Sequence, residues 1–371
     1  MGRFNFIGVA CVALLYIVHY EKYCMAVDLK KCYIDMIYQL GDSLSDTGNY
    51  IRESKSGGES AYAKLPYGET FFNKPTGRCS NGRLVIDYLA AASGLAFINP
   101  YKNREAEFKN GDNFATAGAT ALPTQFLQSK NISSPITTTS LDVQLDLMFT
   151  HFNSICLTDC IQLLKNSLFM VGEIGMNDYS YALLQGKSIQ DTTSLVSDVV
   201  YAIQKAINRV IEFGAVRIVV PGILPLGCLP ALLTRFETKD PKSYDKFQCL
   251  NYLNNLSQYH NSELQKAIQE VKKQNPNVAI LYGDYYNAYT AILRNASHLK
   301  FDVKNLQKAC CGIGGAYNYK SNQTCGARGV HACAQPSSYV SWDGINLTEE
   351  AYANIAQSLV ADILPKLNCK P

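Results

Sequence analysis

The sequence predicts an α/β fold: a three-layer α/β/α sandwich with a central parallel sheet. Three observations carry this. Short apolar runs at 34–40, 167–172, 216–220 and 278–282 have strand length, and stretches with helical spacing lie between and after them, at 84–92, 141–154, 194–213, 250–271 and 348–363. Strands that alternate with helices become parallel neighbours covered on both faces, which suits runs that are apolar rather than alternating. No linker, repeat or charge block divides the chain, so residues 27–371 read as a single domain.

Residues 1–26 read as a signal peptide. Arg3 supplies the positive start, residues 6–18 the apolar run, and Cys24-Met25-Ala26 a small-residue cleavage site. That run is too short to span a bilayer comfortably. The expected product is a secreted protein, or a vacuolar one delivered by the secretory route, with no membrane segment once the signal is removed. A net charge of +3 with scattered basic residues gives no nucleic-acid surface. No cofactor or metal is expected, and a monomer is.

Of the 13 cysteines, Cys11 and Cys24 fall in the leader, which leaves eleven. In an oxidising compartment these read as disulfides with one left over. Cys156 and Cys160 could close a local loop, Cys228 and Cys249 a longer one. Cys310, Cys311, Cys325 and Cys333 could carry two bridges, with a zinc cluster as the competing reading. Sequons at Asn131, Asn255, Asn295 and Asn322 suit glycosylation in that compartment; a fifth begins at Asn346.

The strand at 34–40 runs into Gly41-Asp42-Ser43-Leu44-Ser45-Asp46-Thr47-Gly48-Asn49. A serine at the C-terminal tip of a parallel strand lies where open α/β sheets bind ligands. Asp42, Ser45 and Asp46 suit a turn or a cap. Two further blocks suit the same edge. Asn113-Phe114-Ala115-Thr116-Ala117-Gly118-Ala119 is small enough to present backbone N–H groups to an oxyanion, and Gly175-Met176-Asn177-Asp178 follows the second strand with an amide. By themselves these two blocks also fit close packing and an Asx turn.

Together these blocks resemble the plant GDSL esterase/lipase family, a branch of the SGNH hydrolases. The resemblance extends to Pro66-Tyr67-Gly68-Glu69-Thr70, Thr76-Gly77-Arg78-Cys79-Ser80-Asn81-Gly82-Arg83, Val220-Pro221-Gly222 and Cys310-Cys311-Gly312-Ile313-Gly314-Gly315, and so covers nearly the whole mature chain. It implies ester hydrolysis or acyl transfer with Ser43 as nucleophile, and an oxyanion hole made of the Ser43 and Gly118 N–H groups and the Asn177 amide. Within the family, Ile37-Tyr38-Gln39-Leu40 and Tyr317-Asn318-Tyr319 are similar to a branch that acts on an acetylated alkaloid. The partner implied is therefore a small ester or alkaloid-like molecule of plant specialised metabolism.

The family pattern ends in Trp-Asp-x-x-His, and here Trp342-Asp343-Gly344-Ile345-Asn346 puts Asn346 in place of the histidine. An amide has no titratable nitrogen near neutral pH, so it cannot take the serine proton. Among the remaining histidines, His260 reads as structural on a helix, His151 as surface and His298 as a solvated loop residue. His331 is the one candidate for a substitute base, and Asp343 acting through water is a further option. Three readings follow from Ser43, Asp343 and Asn346: a hydrolase with an impaired or substituted base, an enzyme repurposed to use Asn346 as a hydrogen-bonding group, and an inactive secreted binding protein.

Overall fold

The computed structural model describes residues 29–155, 164–367 and 369. The leader and the Cys156 and Cys160 loop lie outside the described residues. Four parallel strands form the sheet in the order β1-β2-β3-β4: β1 is Met36–Leu40, β2 Ser167–Val171, β3 Arg217–Pro221 and β4 Ala279–Gly283. β2 is buried at every position and β1 and β3 at all but the first, as expected of strands covered on both faces. Beyond β1, the segment 110–116 runs alongside it without regular strand geometry, bridged in parallel at Gln39 and Asn113. The chain thus steps outward from β1 to this edge, then crosses to β2 on the other side. That reversal opens a crevice at the C-terminal end of β1.

The eight helices that matter here are α1 Val85–Ala92, α2 Leu141–Ile155, α3 Met176–Leu184, α4 Val196–Glu212, α5 Pro230–Arg235, α6 Asn251–Gln274, α7 Tyr285–Arg294 and α8 Glu349–Ile363. α4 packs against α2 and α6, and α8 against α1 and α7, which makes the two covering layers. The sequence expects one helix over 194–213; the chain instead bends at Leu195, between a short helix Ile189–Ser194 and α4. α3 escapes the sequence reading because seven of its nine residues are buried, leaving no polar face to set a period.

Three disulfides follow the cysteine spacing or its open alternatives: Cys228–Cys249, Cys310–Cys333 and Cys311–Cys325. The zinc reading falls with them, since these sulfurs are bonded to one another. A fourth bridge, Cys32–Cys369, ties the two ends of the described chain together. Cys79 is the free cysteine among the described residues, and it is buried.

Arg78 holds the back of the Gly41–Asn49 loop to α1. Its guanidinium donates in bidentate fashion to Asp87, at 2.6 and 2.9 Å, and reaches the Thr47 carbonyl at 3.5 Å; Asp87 also accepts from the Leu84 N–H at the start of α1. Both side chains are buried. Breaking such a pair from one side strands a buried charge. Arg78→Met should therefore destabilise the fold by about 3–5 kcal/mol in denaturant unfolding with the disulfides intact. A loss under about 1 kcal/mol, the size of an exposed pair, would show that Asp87 finds other compensation.

Candidate active site

The loop after β1 is built by its own carboxylates. Asp42 accepts from the Leu44 N–H through Oδ1, at 2.9 Å, and its carbonyl accepts from the Ser45 and Asp46 N–H groups. This winds one tight turn around Ser43. Asp46 accepts from Gly48, Asn49 and Tyr50, and across the crevice from the Ala117 N–H at 2.8 Å. Asn49 and Asn113 interlock the same two segments: Asn49 Nδ2 donates to the Asn113 and Ala115 carbonyls, and Asn113 Nδ2 to the Ser45 carbonyl. Gln144 of α2 closes the base of the loop by exchanging two 2.8 Å hydrogen bonds with the Gly41 backbone.

These bonds leave a few groups over. Ser43 and Gly118 face one pocket, also lined by Tyr62, Ile136, Asn177, Ser180, Tyr181, Leu184, Leu229, Ala231, Leu232, Ile345 and Asn346. Among the described residues neither the Ser43 nor the Gly118 N–H has an acceptor, and the Ser43 hydroxyl has no partner. Gly118 has φ +82°, and a Cβ there would meet the Ile136 side chain at 2.5 Å and the Tyr181 hydroxyl at 3.0 Å. Glycine is required at that point because the backbone must pass close beneath the pocket. Tyr181 donates to the Gly118 carbonyl at 2.9 Å, which turns that carbonyl away and fixes the peptide beside it.

Asn177 lines the pocket as the sequence expects, but both hydrogens of its amide are directed elsewhere, to Asp42 Oδ2 and the Ala119 carbonyl, each at 2.9 Å. Behind it sits a group of wholly buried carboxyls. Asp42 stands beside Glu173, close enough for its charge to act on that carboxyl, and Asp178 accepts from the Ala121 and Leu122 N–H groups. Burial pushes Asp42 up to about 7, with Asp178 and Asp46 adding to the rise against the Leu44 N–H. Burial, then the nearby Asp42, pushes Glu173 well up, and burial pushes Asp178 up to about 7.

On the other side of the pocket, Asp343 is saturated. Its Oδ1 accepts from the Ile345 and Asn346 N–H groups at 3.0 and 2.7 Å, its Oδ2 from the Tyr67 hydroxyl and Asn346 Nδ2, both at 2.8 Å. Tyr67 is braced edge-on between Tyr62 and Trp342. The Asn346 amide therefore points its nitrogen at Asp343, not at Ser43, and its Oδ1 is buried with no donor, in a residue only 1% exposed. Tyr67 belongs to a block legible in the sequence, yet nothing local signals a partner 276 residues away. The same holds for Tyr62, Tyr181 and Glu173.

The histidines lie elsewhere. His151 is not on the surface as expected: it is buried among Tyr38, Tyr101 and Phe114, with Nε2 2.8 Å from Asp112 Oδ2, because α2 turns it inward against the 110–116 segment. His260 is structural, bonded through Nδ1 to Tyr179 at 2.7 Å, and burial pushes it down to about 3. His298 and His331 are exposed, and neither lines the pocket. The sequon residues Asn131, Asn255, Asn295 and Asn322 are all exposed, unlike Asn346.

Comparison with known proteins agrees with these blocks. The family model described as GDSL-like Lipase/Acylhydrolase matches residues 37–359. Acetylajmalan esterase 2 of Rauvolfia serpentina is 45% identical over 341 residues, 91% of this chain and 92% of its own. Acetylajmalan esterase 1 of the same plant is 42% identical, over 91% of this chain and 89% of its own. A GDSL esterase/lipase of Arabidopsis thaliana is 42% identical, over 94% and 95%.

The carboxyl group behind Asn177 sets a pH dependence. Carboxyls raised in the folded state favour folding below their unfolded values, near 4, and that contribution is lost as pH rises through about 7. Between pH 6 and 8 the Tm should therefore fall. Glu173→Gln, which cannot ionise, should flatten that slope. An equal slope in the variant and the parent would mean that Glu173 is already ionised in the folded protein over this range, as it is in the unfolded chain.

Proposed function

Because the chain belongs to the GDSL-like lipase/acylhydrolase family and is a carboxylic-ester hydrolase, we propose that Ser43 is its nucleophile and that the base step is impaired. One observation carries this reading: a serine hydroxyl without a partner and two backbone N–H groups without acceptors open onto one pocket. In an otherwise satisfied loop, donors left free beside a nucleophile are those an oxyanion would use. The Ser43 and Gly118 N–H groups would hold the carbonyl oxygen, with Asn177 sharing one amide hydrogen as charge develops. Asp343 would orient whatever occupies the base position.

The lining suits a small, largely apolar ester: Ile136, Leu184, Leu229, Leu232 and Ile345 surround it, with hydroxyls from Ser180, Tyr62 and Tyr181. The relatives named for acetylajmalan direct the choice toward an acetylated plant metabolite of alkaloid type. The leader and the exposed sequons support passage through the secretory route as one domain after cleavage. Among the described residues no helix is long and apolar enough to cross a membrane.

Asn346→His should raise hydrolysis of 4-nitrophenyl acetate about 10²–10⁴-fold, the usual contribution of a positioned general base. Ser43→Ala should abolish that gain, and the parent should label slowly with a fluorophosphonate probe. Fast labelling of the parent that is lost in Ser43→Ala would place a working base on the chain and overturn the impaired-base reading. Peptide mass spectrometry should find glycans among Asn131, Asn255, Asn295 and Asn322 and none on Asn346; a glycan on Asn346 would put that residue outside the pocket.

A further inference from the structure

The pocket holds every polar part of a serine esterase site except a group that can take a proton. Among the described residues its lining contains no histidine, lysine or carboxylate. Burial holds the Tyr62 and Tyr181 hydroxyls well above their usual range, so neither is a base near neutral pH. His151 and His260 are committed to Asp112 and Tyr179, and His298 and His331 are exposed away from the pocket. Asp343 does not line the pocket, and four donors occupy its two oxygens.

Asn346 keeps half of what a base residue does. A neutral histidine at this position would donate to Asp343 with one nitrogen and present the other as an acceptor. Asn346, which lines the pocket, donates to Asp343 through Nδ2 and keeps Oδ1 as a buried acceptor with no donor. The polarity of the relay is intact, but the acceptor is not basic. A buried acceptor without a donor is costly, and that cost is recovered when a ligand supplies the donor.

We propose that the proton acceptor is brought in by the ligand: a neutral nitrogen base carrying one N–H, of the imidazole class, seated between Asn346 and Ser43. Its N–H donates to Asn346 Oδ1, and its lone pair accepts the Ser43 Oγ proton as Oγ bonds to the ester carbonyl carbon and the carbonyl electron pair moves to oxygen. The intermediate collapses, the bond from carbon to the alcohol oxygen breaks, and the nitrogen returns its proton to that oxygen. Water then attacks the acyl-Ser43, giving its proton to the nitrogen, which passes it back to Ser43 Oγ as the acid leaves. No net proton is gained or lost by the base. The nitrogen can be part of the ester or a free small molecule. This proposal rests on the ester-hydrolase reading above.

Two substrate arms separate the sources. In the first, 4-nitrophenyl acetate hydrolysis is followed with increasing imidazole, with Ser43→Ala giving the background of imidazole alone. The parent rate above that background should rise at least about tenfold and saturate. In the second, without additive, ethyl imidazole-4-acetate should be cleaved at least about tenfold faster than ethyl phenylacetate. Saturation in the first arm alone assigns the base to a free molecule, a preference in the second to the ester itself; either supports the proposal. Asn346→Leu, which lacks the acceptor, should raise the half-saturating imidazole concentration about tenfold, the worth of one hydrogen bond. Asn346→His should hydrolyse 4-nitrophenyl acetate with no response to imidazole. If Asn346→His is active and the parent is flat in both arms, the ligand-borne base is wrong while the hydrolase reading stands. If Asn346→His is inactive as well, although folded by circular dichroism, the hydrolase reading fails and this proposal with it.

Discussion

The site depends on the pairing of the irregular segment 110–116 with β1. Five backbone hydrogen bonds join them, from Ile37 N–H to Asn110, Asp112 to Ile37, Gln39 to Asp112, Phe114 to Gln39 and Thr116 to Gly41. This ladder carries the Asn113–Ala119 loop to the tip of the strand that ends in Ser43. Without it Asp46 could not reach Ala117, nor Asn49 the Asn113 and Ala115 carbonyls. The exchange is mutual, because two loops that would be floppy alone each satisfy the other's buried polar groups. What is left unsatisfied then has a definite place, at Ser43 and Gly118. A preorganised donor pair of this kind costs no rearrangement when charge develops in front of it.

Two ways of burying carboxylates meet around this ladder. Asp87 is paired with Arg78, and Asp343 is surrounded by four donors, so each is compensated locally. Among the described residues no cation pairs with Asp42, Glu173 or Asp178, and burial pushes all three carboxyls up. Like-charged carboxyls in one site cannot all ionise cheaply. The consequence falls on Asn177, whose amide is drawn toward Asp42 and the Ala119 carbonyl. How freely it can share a hydrogen with a ligand depends on how much charge Asp42 carries, so proton occupancy behind the pocket is coupled to polarity inside it.

The strands were legible to within about two residues because apolar runs of strand length, bounded by glycine and polar turns, leave few alternatives. The Asp42 and Asp46 turn chemistry was legible for the same local reason. α3 was not, since a buried helix shows no period, and α7 was passed over although Asp284 caps it through the Asn287 N–H. His151 was misplaced because spacing alone does not say which side of α2 meets the irregular edge. The Tyr67–Asp343 contact and the Asp42–Glu173 pair are set by tertiary folding between distant segments, which no local pattern encodes. At Asn346 the sequence showed which atom types were present, and the direction of the amide emerged only from the structure.

That direction is what distinguishes loss from replacement. Had Asn346 turned its oxygen toward Asp343, two acceptors would face each other and the pair would repel. With the nitrogen toward Asp343, the arrangement preserves the donor that a neutral imidazole would have offered and leaves Oδ1 buried without a donor. Aspartate there would place a second carboxyl against Asp343, and leucine would leave Oδ2 one donor short. Asparagine retains the Asp343 network almost whole while removing only basicity. The cost of the substitution is concentrated in one orphaned acceptor instead of being spread over the fold. What stays open beside that acceptor is the Ser43 hydroxyl and the free Ser43 and Gly118 N–H groups, so a ligand with a donor of its own is what the local hydrogen-bonding leaves room for.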